Sequence, residues 1–380
     1  MVIGLFLAMV ATPALLQIGV ELRRGERPAA LRILSTRPTE RNLRAYEKSV
    51  QDTSVTARAL RPWMQAAQFF ALHDAGEKAL IGADGWLFYQ PGVDYLTQRA
   101  KPGDSTVADA VKAVARFRDD LALRGTQLLV MPAPNKESIY PDKLWHGAIP
   151  PGGSAIGTET REFLARCRAE GVATVDLFEL YSRARGSAET PLYLARDSHW
   201  SPAGIKLAAD AVAAGILERG WLTAGGSVYG ALRAPVRELG DLVRMIRSPQ
   251  IEACVAPEEI ATEQIVRRDT GAVFADDPGP EVLVLGDSFV RMFQRDAPGG
   301  AGFVAHLALA LGRPVAGIIS DGGASTLVRQ DLFRRPRMLD HAKVVVWEFV
   351  ERDIRQGTEG WQIVPLPPGQ SRARISSFAE

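Results

Sequence analysis

An α/β fold with a mostly parallel, doubly wound sheet is what the sequence predicts, and three observations carry that expectation. Five short runs rich in Val, Leu and Ile, at 127–131, 172–177, 282–285, 315–319 and 344–349, lack the polar alternation of half-exposed strands. Runs of that kind suit strands covered on both faces. Segments with helical spacing separate them, as in folds that wind helices over a parallel sheet. Finally, 46% hydrophobic and 23% charged residues in a chain of 380 are the proportions of a folded protein with ample core, which excludes a disordered or low-complexity chain.

The elements follow in order. Residues 1–20 carry no charged side chain, and at about 1.5 Å per residue a helix of that length matches the roughly 30 Å hydrocarbon core of a bilayer. They are expected to be a membrane anchor or signal peptide, with retention favoured over cleavage. Arg23, Arg24 and Arg27 follow this run and nothing basic precedes it, so the positive-inside rule alone would leave the rest of the chain in the cytoplasm. Residues 21–78 read as a helical lead-in, with Pro62 marking a break between two helices. Gly82-Ala83-Asp84-Gly85 is turn chemistry, and Trp86 to Tyr89 suits a short buried strand opening a domain over 79–355. A helix over 105–123 places Val107, Val111, Val114 and Leu121 on one face and ends at Gly125. Further helices are expected over 158–169 and 202–217, the latter with Ser201 as N-cap and Pro202 at its first position. Residues 222–280 are weakly patterned, and 356–380 read as a tail, loosely held from Pro365 on.

Composition narrows the function. Lys plus Arg number 45 against 44 Asp plus Glu, a net charge of +1, so no overall field favours nucleic acid as a partner. Cys167 and Cys254 form neither a zinc nor a redox motif, although they could pair once in an oxidising compartment. No metal-binding motif such as HExxH occurs, and neither GxGxxG nor GxxxxGK[ST] is present, so no metal or nucleotide cofactor is expected. Asp321-Gly322-Gly323 lacks the spacing of a phosphate loop.

Chemistry in such folds gathers beyond the carboxyl ends of the strands. Gly286-Asp287-Ser288 follows the run 282–285 and precedes a helix expected near Phe289, which would set a serine hydroxyl at a helix N-terminus, where N–H groups stabilise developing negative charge. The alternative is that Ser288 only caps that helix. Asp197-Ser198-His199-Trp200 offers what a weak serine nucleophile needs, an imidazole base with a carboxylate to orient it. Here the alternative is a surface His beside an Asp, with Trp200 as ordinary core. Among His73, His146, His199, His306 and His341, His199 alone combines a nearby preceding Asp, a loop and an adjoining helix start.

Gly286-Asp287-Ser288 with an Asp-x-His pair resembles the SGNH hydrolase superfamily, but with the order of the two segments inverted, as in a circular permutation. That inversion, together with Gly82 to Tyr89, Pro132-Ala-Pro-Asn-Lys136 with Ile139-Tyr140-Pro141, Asp197 to Trp200, Trp347-Glu348 and Glu351-Arg352, resembles the AlgJ/AlgX family of alginate O-acetyltransferases over residues 40–355. The resemblance implies an acetyltransferase acting on exopolysaccharide hydroxyls with the triad Ser288, His199 and Asp197. An acetyl esterase with the same triad and a non-catalytic polysaccharide-binding subunit are the competing readings. The short chain after Arg355 matches the AlgJ type, anchored in the inner membrane with its catalytic domain in the periplasm. That type works beside a multi-pass membrane acyltransferase that supplies acetyl groups. The family topology is followed here over the positive-inside rule.

Superfamily hydrolases also draw oxyanion donors from a glycine and a Gly-x-Asn motif. Gly322 or Gly323 could supply the glycine, whereas Trp347-Glu348-Phe349 occupies the strand end where the second would lie. Arg352 or the backbone near Ser288 could substitute, with Arg352 otherwise expected in an ion pair with Glu348 or Glu351. Lys136 and Arg291, near strand ends, either meet an acidic sugar or are solvated surface charges. Gly286, Asp287 and Trp200 complete the candidate oxyanion and substrate contacts.

Overall fold

The computed structural model of the protein describes residues 2–145, 155–321 and 323–366. It divides into two compact units, Met1–Gly76 with Arg244–Ala256, and Glu77–Val243 with Pro257–Glu380.

The first unit is helical. Val2–Arg23 forms a 22-residue helix, the one helix among the described residues long and apolar enough to cross a membrane. It fits a membrane anchor. Helices Glu40–Thr53 and Val55–Leu72 follow, and the break between them falls at Ser54, not at the expected Pro62, which lies inside the second helix. Ser54 has an extended backbone; its N–H closes the first helix on Val50 O, and its hydroxyl accepts from Ala57 N at 3.2 Å, capping the second. A side-chain cap of this kind satisfies an amide that the helix itself leaves free. The carbonyl of Pro62 accepts from Ser248 Oγ at 2.9 Å, ahead of helix Pro249–Cys254.

The second unit holds strands β1 (Ala79–Ile81), β2 (Leu87–Tyr89), β3 (Gln127–Ala133), β4 (Ala173–Thr174), β5 (Tyr229–Arg233), β6 (Val236–Glu238), β7 (Glu258–Ile260), β8 (Glu263–Arg267), β9 (Val282–Gly286), β10 (Val315–Ile319) and β11 (Val344–Val350). The central sheet has the order β10-β9-β11-β3-β4 and every pairing is parallel. Alternate residues of each strand feed opposite layers. Leu129, Met131, Val282, Val284, Val344 and Val346 pack with helices Pro202–Glu218 and Phe303–Leu311. Leu128, Val130, Leu283, Leu285, Val345 and Trp347 pack with helices Val107–Ala122, Thr158–Ala169 and Leu327–Arg334. All seven residues of β11 are buried, which is why the run shows no alternation.

Some expectations change in detail. The run 172–177 yields only the two-residue β4, because Asp176 caps the next helix, Leu177–Ala184, by accepting from Glu179 N. The weakly patterned stretch contains two antiparallel ladders, β5 with β8 and β6 with β7. Ser201 caps its helix as expected, accepting from Gly204 N at 3.4 Å. Cys167 is buried and Cys254 exposed, both as free thiols.

Candidate active site

The serine turn is built at the carboxyl end of β9. Gly286 is needed there because a β-carbon would run into Val290 Cγ2 and lie 2.7 Å from Glu348 Oε2. Asp287, not Ser288, is the N-cap of the short helix Ser288–Arg291. Its Oδ1 accepts from Phe289 N at 2.8 Å and its Oδ2 from Val350 N at 3.2 Å, while its own N–H donates to Glu348 Oε2 at 3.1 Å. The turn is thereby fastened to the end of β11. Since Asp287 does the capping, the Ser288 hydroxyl is free for another partner.

That partner is His199. Ser288 Oγ lies 2.9 Å from His199 Nε2, and His199 Nδ1 lies 2.6 Å from Asp197 Oδ1. A carboxylate can only accept, so Nδ1 carries the proton and Nε2 is left to accept from the serine hydroxyl. Asp197 Oδ1 also accepts from His199 N at 3.0 Å. This is the geometry of an activated alcohol, with a base in reach and a carboxylate orienting the base.

Three groups hold the Asp–His loop in place. Lys136, 1% exposed, donates from Nζ to the carbonyls of Leu194 (3.1 Å), Ala195 (3.1 Å) and Asp197 (2.7 Å). Trp200 is fully buried, donates from Nε1 to Phe289 O at 2.9 Å and stacks on Phe303, so it ties the loop to the serine turn. Asp241, at the start of helix Asp241–Met245, accepts from Ser198 N at 2.7 Å and Ser198 Oγ at 2.6 Å, and its own N–H donates to Asp197 Oδ2 at 2.8 Å.

Electrostatics follow from burial and charge. Burial alone would lower the proton affinity of His199, but the charge and hydrogen bond of Asp197, with the charges of Asp241 and Asp287, outweigh it and raise the pKa above the usual 6.5. Burial would raise Asp197, yet the charge and hydrogen bonds of His199 and the Asp241 amide hold it well below the carboxylate range. Behind the serine turn, burial and the charge of Asp287 push the Glu348 carboxyl well above its usual range and Asp353 to about 7. Asp197, His199 and Asp241 bring potential ligand atoms within 4.8 Å of one another. Hydrogen bonds within the cluster already engage those atoms, so it reads as a proton-bonded network.

A cavity of about 240 Å³ reaches Ser288, lined among others by Tyr89, Asp287, Gly323, Arg352 and Asp353. Several expected contacts are corrected here. Lys136 is sealed inside the protein on backbone carbonyls and lies over the rings of Trp86 and Phe88, so it meets no sugar. Arg291 is engaged by Asp296 and Asp321. Trp200 is core. Arg352 forms no ion pair with Glu348 or Glu351, because Glu351 is taken by Asn135 N, Ser138 Oγ and Thr160 Oγ1, and Glu348 by Asp287 N. Its guanidinium instead lies 5.0 Å over the Tyr89 ring and 3.4 Å from Asn135 Oδ1. Gly323 lines the cavity, but its amide already donates to Ser320 O at 3.1 Å. Gly322 and His146 lie outside the described residues, as does the tail from 367 on. Sequence reasoning missed Asp241, Asp353 and Tyr89 as neighbours of the centre. Of these, Tyr89 closes the Gly82–Tyr89 motif and carried a signal, whereas Asp241 sits in the weakly patterned stretch.

A parallel α/β sheet carrying a Gly-Asp-Ser turn within reach of an Asp-x-His loop defines an SGNH hydrolase-like enzyme. The chain belongs to the family of the SGNH hydrolase-like domain of acetyltransferase AlgX, whose model matches residues 79–351, and as a member of it is an acetyltransferase. Relatives include the probable alginate O-acetylase AlgJ of Pseudomonas aeruginosa, 24% identical over 77% of this chain and 75% of that protein, and that of Azotobacter vinelandii, 24% identical over 81% and 78%. The fold is that of the O-acetyltransferase domain of Pseudomonas putida AlgJ, with a TM-score of 0.56 at 23% identity, covering 73% of this chain and 92% of that one. AlgX of Pseudomonas aeruginosa superposes with a TM-score of 0.52 at 20% identity, covering 72% and 61%.

Proposed function

We propose that this enzyme transfers acetyl groups to hydroxyls of an alginate-like exopolysaccharide by double displacement through Ser288, His199 and Asp197. His199 takes the proton of Ser288 as the serine oxygen attacks the acetyl carbonyl of a donor; the donor's leaving group departs with that proton, leaving acetyl-serine. The same imidazole then removes the proton of a sugar hydroxyl, which attacks the acetyl-serine and releases Ser288 with its proton restored. The observation that carries the reading is the 2.9 Å approach of Ser288 Oγ to a buried imidazole whose far nitrogen is bonded to Asp197. The amide of Ser288, at the first position of its helix, and Arg352, on the cavity wall, are the groups suited to receive the oxyanion. The naming of the relatives as alginate O-acetylases supports the acceptor class.

The apolar helix Val2–Arg23 would hold the chain at the inner membrane with the catalytic unit in the periplasm, where a multi-pass membrane acyltransferase would deliver acetyl groups. Two assays test the reaction. A serine-directed fluorophosphonate should label the wild-type protein and not Ser288→Ala; labelling that survives the change removes Ser288 from the mechanism. With an acetyl-ester donor, added mannuronate oligosaccharide should divert acetyl from water to sugar, because a bound hydroxyl outcompetes bulk water through its effective molarity. Acetate release indifferent to the oligosaccharide would make the protein an esterase.

A further inference from the structure

Asp241 lies outside both motif segments, 42 residues after His199 and 47 before Ser288; the chain is forced against the Asp–His loop at Gly240, whose backbone has φ +93 and where a β-carbon would lie against the carbonyl of Arg196. Only glycine adopts that conformation at little cost and leaves room for the approach. The next residue then contacts the loop through three hydrogen bonds. Both carboxylate oxygens accept, one from the amide and one from the hydroxyl of Ser198, and the Asp241 amide donates to the Asp197 oxygen that His199 Nδ1 does not use. Burial and the neighbouring charge of Asp197 raise the Asp241 pKa above its usual value, while the charge of His199 and the hydrogen bonds from Ser198 favour its ionised form. Asp241 Oδ2 stands 3.7 Å from His199 Nδ1, too long for a hydrogen bond and close enough for a strong charge interaction.

We propose that Asp241 is a positioning residue of this centre, a second carboxylate that locks the Asp197–His199 pair in register and adds negative charge beside the imidazolium formed in both halves of the reaction. The proposal rests on the acyl-transfer reading above. The other charged groups facing the imidazole are Asp197 on its own loop and Asp287 on the serine turn. Lys136 backs the loop through the Asp197 carbonyl, and Glu258 of β7 accepts from Arg196 N. Removing the Asp241 charge makes His199 easier to deprotonate. The base must be neutral to act, so the rate falls as pH drops through its pKa, and that acid limb should move to lower pH.

The test compares kcat/KM against pH for the full-length wild type, Asp241→Asn and Asp241→Glu with an acetyl-ester donor and oligosaccharide. Asp241→Asn, which keeps the shape, should shift the acid limb down by about one pH unit and lower the plateau about tenfold. Asp241→Glu keeps the charge and should leave the limb near its wild-type position whatever its plateau. A histidine NMR titration of His199 in the Ser288→Ala background, with and without Asp241→Asn, reads the same shift without turnover. A limb and a titration unmoved by Asp241→Asn, with or without a uniform loss of rate, would overturn the proposal. Full activity in Ser288→Ala would instead sink the acyl-transfer reading, so the two failures are distinguishable.

Discussion

His199→Ala should lower acetyl transfer to oligosaccharide by about 10⁴-fold, the scale seen when the base of a serine triad is removed. The chemistry explains the size. With Nε2 gone from its place 2.9 Å from Ser288 Oγ, the serine has no proton acceptor for the first displacement and the sugar hydroxyl has none for the second. His306 cannot take over, because it is buried in helix Phe303–Leu311, where burial pushes its pKa down to about 4. The variant should remain folded, since the Asp197 loop keeps its bonds to Lys136 and Asp241. Acetylated oligosaccharide is the quantity to measure. Undiminished acetylation of the polymer in a strain carrying His199→Ala would favour a polysaccharide-binding subunit that carries these residues without using them.

Lys136→Met should have the largest effect on stability. The substitution keeps an unbranched side chain against Trp86 and Phe88 but leaves the carbonyls of Leu194 and Asp197 without their donor in the interior, while Ala195 O keeps its bond from Leu87 N. At roughly 1–3 kcal/mol for each of the two stranded carbonyls, the loss is about 2 kcal/mol or more. For a unit of this size that lowers Tm by about 4–8 °C, which a thermal melt would record. Activity should fall with it, because the Asp197 carbonyl is one of the freed groups. The pH dependence has a defined sign. Burial lowers the Lys136 pKa from 10.5 to about 8, so between those values the unfolded chain binds more protons than the folded one. Lys136 therefore adds stability as pH rises through that window, and the variant lacks this increment. A Tm within 2 °C of wild type would mean that water or a rearranged loop satisfies the carbonyls, in conflict with a structural clamp.

The sheet was legible because strands buried on both faces leave an unbroken apolar signature, and each of the five runs contains a strand of the sheet. The run 172–177 suggests a longer strand than β4 because only its capping bond from Glu179 N marks Asp176 as the start of a helix. The Gly-Asp-Ser and Asp-Ser-His-Trp segments were visible because local chemistry marks them: a glycine where a side chain would collide, and an acid two positions before a histidine. What stayed hidden depends on partners distant in sequence. Nothing local distinguishes Lys136, sealed on the carbonyls of 194, 195 and 197, from Arg291, which two aspartates hold at the surface. Arg352 next to Glu351 reads as an ion pair, yet Asn135, Ser138 and Thr160 claim that glutamate from other elements. Asp241 carries no motif at all; only the close approach at Gly240 sets it beside the loop.

The most direct test of the central claim is rapid-quench peptide mass spectrometry of the wild-type protein mixed with an acetyl-ester donor. The account predicts an acetyl group on the peptide bearing Ser288, accumulating in the absence of acceptor and discharged when mannuronate oligosaccharide is added, with acetylated sugar appearing in step. Acetylated sugar formed while that serine stays unmodified on the timescale of turnover, or acetyl carried by another residue, would contradict it.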